Sequence, residues 1–132
     1  LLSRRQRQMC IRDRILKALV AKDDNPEITE AFSRALDFFD SYDKVEHTAH
    51  AEVMRKIYLN NNCYKYSDST HGLPRKTGVP SRTLCRYRKK YLSYLYMFYC
   101  RLTGNEYTDN ITSFFILLKQ KFSKQKHGGK TQ

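Results

Sequence analysis

Tryptophan is absent from this chain of 132 residues, and so is any apolar run of the roughly 18 residues needed to span a bilayer. The four cysteines, Cys10, Cys63, Cys85 and Cys100, form no C-x-x-C pair. No Cys or second His pair follows His47 and His50 at zinc-finger spacing, so no structural metal is expected. Thiols used this way fit an intracellular, reducing compartment. Strand signals are equally thin: period-two alternation is not sustained, and no Asn-Gly or Asp-Gly turn occurs. No P-loop, no G-x-S-x-G and no paired metal motif is found, which disfavours an enzyme. Glu46, His47, His50 and Glu52 read as a solvated helix face rather than a catalytic or metal-binding set. Internal repeats are missing as well.

What remains is apolar enough to fold and strongly basic. Hydrophobic residues make up 40% and aromatics 13%, sufficient for one modest core in a single small domain. The formal charge of +12 points to a polyanionic partner. That charge is uneven. Ile15 to Asn62 holds six basic and nine acidic side chains, whereas Cys63 to Gln132 holds fourteen basic and three acidic. Between Asp68 and Glu106 there is no acidic residue at all. A polyanion-binding surface is therefore expected in the second half.

The chain begins with an anomaly. Arg4 to Arg14 reads RRQRQMCIRDR and resembles the translation of a transposase adapter used in shotgun sequencing libraries. The resemblance implies that residues 1–14 are a scar to be set aside, with the native sequence starting near Ile15. The alternative is a basic amphipathic leader.

Periodicity predicts helices for most of the rest. Ile28, Ala31, Phe32, Ala35, Leu36 and Phe39 recur at i, i+3, i+4 spacing. Asn25-Pro26 supplies a start, and Glu27 and Glu30 suit the first turn. A second helix is expected from about Val45 to Leu59, ended by Asn60-Asn61-Asn62. A third is expected from Ser81 to Thr103-Gly104, with Ser81 as its cap, and a last from Ile111 to Phe122. Residues 123–132 read as a disordered basic tail. The fold class expected is all-α, a helical domain over 15–122 with a long C-terminal recognition helix.

The block Ser69 to Leu102 carries the chemistry. Leu73-Pro74-Arg75-Lys76-Thr77 ends at Gly78, and Val79-Pro80 leads into a second, basic helix. A helix, a turn containing Gly and a basic second helix make the pattern of a helix-turn-helix over about 69–102. Gly78 can adopt the left-handed turn conformation, Val79 fills the space beneath it, and Leu84 and Tyr87 point inward. The opposite face presents Ser81, Arg82, Cys85, Arg86 and Lys89, the expected base-contacting set; arginine can grip a guanine edge with two hydrogen bonds. Arg75, Lys76, Thr83, Arg88 and Lys90 are the expected phosphate contacts. A merely solvated charged face is the competing reading. Tyr91, Leu95, Phe98 and Leu102 form one apolar stripe beyond them, and Leu92, Tyr96 and Tyr99 a second. Core packing explains these aromatics better than stacking on single-stranded bases. Ile111, Phe114, Phe115, Leu117 and Leu118 should cover part of them, or else a homodimer through the Tyr-rich helix.

Leu73, Gly78, Val79, Ser81, Arg82, Thr83, Leu84, Arg86, Tyr87, Arg88 and Lys89 resemble the helix-turn-helix of sigma-factor region-four proteins, as in small phage and prophage transcription regulators. The segment Ala35 to Leu59 is similar to that family's supporting helices. Pro74 departs from the pattern, because a proline there forces the first helix to be very short. The resemblance implies sequence-specific binding of double-stranded DNA without a cofactor, RNA polymerase as a further partner, and a place in the bacterial cytoplasm at the nucleoid. Two rivals stand beside it: a small terminase-like subunit of phage DNA packaging, and a helical protein-interaction module that binds no DNA.

Overall fold

The computed structural model describes residues 4–21, 25–59 and 77–128. Among them there is no strand, and the chain is all-α. The helices are α1 (Arg4–Ala21), α2 (Pro26–Glu46), α3 (His50–Met54, continued by the π turn Arg55–Leu59), α4 (Ser81–Thr103) and α5 (Ile111–Gly128). No described helix is long and apolar enough to cross a membrane.

Helix α2 starts with Pro26 in its first turn, where the missing N–H has no helical partner to lose. Its buried residues are Ile28, Ala31, Phe32, Ala35, Leu36 and Phe39, the stripe expected from periodicity. The end of α2 departs from expectation. Val45 does not open a new helix but belongs to α2, which runs on to Glu46 and stops at His47 in a left-handed conformation, φ 56°. Asp43 supplies the reason. Its carboxylate accepts hydrogen bonds from the Thr48 hydroxyl (2.6 Å), from His50 Nδ1 (2.8 Å) and from the Ala51 backbone N–H (2.8 Å). One side chain thereby closes the end of α2 and satisfies the start of α3.

Helix α4 packs against α2 along its length. Leu84, Tyr91, Leu95, Tyr96, Tyr99 and Cys100 are buried. The Tyr91 hydroxyl donates to the Phe32 carbonyl at 3.0 Å, which satisfies the one polar atom of that buried ring. Gly104, φ 76°, ends α4 with its N–H on the Cys100 carbonyl at 2.9 Å. Asn110 opens α5 by accepting from the Thr112 N–H at 3.0 Å. Phe114, Phe115 and Leu118 of α5 are buried, and Phe114 stacks on Tyr96 with centroids 5.0 Å apart. The aromatic stripes of α4 are thus largely core. Backbone helix continues to Gly128, past the Phe122 at which the apolar pattern ends, because no breaker intervenes before the glycine pair at 128–129.

Helix α1 was not expected as an element. Ile15, Leu16 and Leu19 bury its second half in the core. The adapter-like string forms its first half without a break. Arg12 donates to the Thr112 hydroxyl at 3.3 Å and lies 5.0 Å from the centre of the Phe115 ring. Asp13 accepts from the Tyr58 hydroxyl at 2.6 Å and pairs with Arg88 at 2.5 Å.

Candidate nucleic-acid interface

The turn that aims α4 is made by Thr77, Gly78, Val79 and Pro80. Gly78 has φ +72°, and a Cβ added there would meet nothing within 4 Å. Glycine is therefore required by the backbone conformation and not by crowding. Val79 is half-buried against the core. Pro80, with φ −58° and ψ 150°, takes the capping position, and its carbonyl accepts the Leu84 N–H at 2.9 Å. This corrects the assignment of Ser81 as the cap: Ser81 is the first helical residue and is exposed. The helix that should precede the turn is described only at Thr77, so Leu73, Arg75 and Lys76 lie outside the described residues.

Two side chains hold the inner face of this end of α4. Leu84 is buried. Tyr87 lies against the imidazole of His50, centroids 4.1 Å apart. His50 is itself stacked on Phe39 at 4.9 Å and bonded to Asp43. Partial burial disfavours ionisation of Asp43, yet the bonds from Thr48, the Ala51 N–H and His50 together outweigh it and hold the carboxyl below its usual range.

The outer face carries Ser81, Arg82, Arg86 and Lys89, all exposed. Cys85 is half-buried on the same side, at the edge of a cleft of about 310 Å³ between α1 and α4. Thr83 is half-buried and accepts from Arg86 Nη2 at 3.3 Å. No described carboxylate lies within ion-pairing distance of Arg82, Arg86 or Lys89. Helix α4 has six basic residues and no acidic one. A row of cations with no described acidic partner on one helix is suited to an anionic surface.

Two of the expected phosphate contacts are placed differently. Arg88 is only 4% exposed and faces Asp13 and Tyr58, so it is not on the outer surface. The reason is helical register: Arg88 is one turn beyond Leu84 and shares its inward stripe. Lys90 is half-buried at the seam with α2, where its ammonium donates to the Tyr42 hydroxyl, a bond that raises its pKa. A run of consecutive basic residues thus splits among the outside, the interior and the seam. Sequence reasoning also missed Asp43, His50 and Tyr42 as supports. The Asp43-to-Thr48 spacing was their only local signal, and nothing in it names Tyr87 as the neighbour. No family model matches the chain, and neither a curated protein nor a solved structure matches it.

Proposed function

We propose that the chain binds double-stranded DNA through the outer face of α4, with the N-terminal half of that helix lying in the major groove. The observation that carries this reading is the row Arg82, Arg86 and Lys89, exposed and without a described acidic partner, directly after a left-handed glycine turn. Arg82 and Arg86 are spaced to reach base edges, with Ser81 just before them and Thr83 and Cys85 between them. A role as a small transcription regulator, with RNA polymerase as a further partner, follows from the sigma-like residues of the turn and helix. The test is fluorescence anisotropy with labelled duplexes across a salt series, preceded by selection of bound sequences from a random pool. Affinity should fall steeply as salt rises, because each neutralised phosphate releases counterions. A slope near zero, or a pool that never converges on a sequence, overturns the proposal.

A further inference from the structure

Asp13, Tyr58 and Arg88 meet from three elements: α1, the π turn and α4. The Tyr58 hydroxyl donates to the Asp13 carboxylate at 2.6 Å, and Arg88 pairs with it through Nη2 at 2.5 Å. Both partners are fixed as donors. A guanidinium is always charged. Burial, with the Asp13 charge behind it, pushes the Tyr58 pKa well up, so the hydroxyl keeps its proton. Asp13 nevertheless leaves the buried arginine incompletely matched, because Arg88 Nε has no hydrogen-bond acceptor among the described residues. A buried donor left unmet is costly. A carboxylate free of α1 can lie across Nε and Nη2 together, the two-pronged pairing that guanidinium geometry favours.

We propose that Arg88 and Tyr58 form a binding site for the carboxylate of a small organic acid with an apolar body, and that Asp13 is its stand-in in this chain. Asp13 belongs to the string that resembles translated adapter, whereas Tyr58 and Arg88 lie outside it. The cleft between α1 and α4 gives the rest of the ligand. Asp13 and Arg88 both line it, so removing the Asp13 carboxylate opens Arg88 to it. Its volume of about 310 Å³ is at the lower end for small-ligand sites. Met9, Leu92 and Ile111 supply half-buried apolar wall. Of the other charged groups on the walls, Arg12 and Lys89 face only Asp109, a balance that favours an anion. The site stands whether or not DNA is a partner.

The experiment uses the full chain carrying Asp13→Ala, with benzoate as the probe and sodium chloride holding ionic strength constant. Thermal melts followed by circular dichroism read binding, because a ligand held only by the folded state raises the melting temperature. Benzoate should raise that of Asp13→Ala by several degrees and bind it at least tenfold more tightly than the unaltered chain, where Asp13 competes. Acetate should act more weakly, lacking a ring for Leu92 and Ile111. Benzyl alcohol, with the ring and no charge, should do nothing. Tyr58→Phe added to Asp13→Ala should weaken benzoate severalfold. Arg88→Met added to Asp13→Ala removes both buried charges, so that variant should fold and ignore benzoate. If Asp13→Ala is unfolded by itself, the return of its helical signal with benzoate is the expected result. No effect of benzoate on Asp13→Ala overturns the proposal. So does an effect equal in the unaltered chain, matched by benzyl alcohol, or kept after Arg88→Met.

Discussion

The ring of His50 rests against that of Tyr87, centroids 4.1 Å apart, and so joins the start of α3 to the inner face of α4. Asp43 fixes the other side of the imidazole from the end of α2. The direction in which α4 presents Arg82 and Arg86 is thus set partly by side chains on two other helices. A surface of cations gains in specificity when its helix is held rigidly, because base edges are read by geometry rather than by charge.

Asp43→Ala should destabilise the domain by about 2 kcal/mol, the effect of losing hydrogen bonds to a charged acceptor. The pH dependence has a definite sign. Asp43 has a folded-state pKa below its ordinary 3.8. Its contribution is therefore complete above that value and is lost as pH falls through the folded value. Thermal melts between pH 5 and pH 2 should show a shallower acid slope in the variant. An unchanged slope would mean that the carboxylate contributes nothing.

Arg82→Ala or Arg86→Ala should each cost roughly 1–3 kcal/mol on the selected DNA site and relax preference at one or two base pairs. Scrambled DNA should lose much less. Lys89→Ala should in turn lower the salt slope by about one unit if it meets a phosphate. Equal losses on both DNAs for the arginine variants would reduce the row to a general phosphate-binding face.

Gly78→Ala should cost about 1 kcal/mol of stability, from the left-handed backbone alone, since the space around it is open. Urea titration measures this. A loss several times larger would show that the turn tolerates no side chain for a steric reason absent from its surroundings.

Residues 1–14 are tested by two changes whose expected effects differ in size. Deleting residues 1–14 removes Asp13 but also uncovers Arg88, leaving Ile15, Leu16 and Leu19 in the core. Stability should then fall by no more than about 1 kcal/mol, and the salt slope of DNA binding should rise as Arg88 reaches solvent. Asp13→Asn keeps Arg88 covered and takes away its counter-charge, so it should destabilise by more than the deletion does, up to about 3 kcal/mol. A deletion more damaging than the substitution would show that the adapter-like string is an integral part of the fold.

By itself the sequence determined the all-α character, the buried stripe of α2, the glycine turn and the outward positions of Arg82, Arg86 and Lys89. These depend on spacing within one helix or on the conformational freedom of one residue, and both are local properties. Only the tertiary structure decided the fates of Arg88 and Lys90, because register against neighbouring helices turned one toward Asp13 and the other toward Tyr42. It also decided that Val45 ends a helix instead of beginning one, since the Asp43 carboxylate gathers three donors from beyond the turn. The exposure of Phe38, 36% open although it stacks on Tyr94 of α4, was equally undecidable from spacing. Which face of an apolar helix stays uncovered depends on where the other helices lie, and that is a property of the packed molecule.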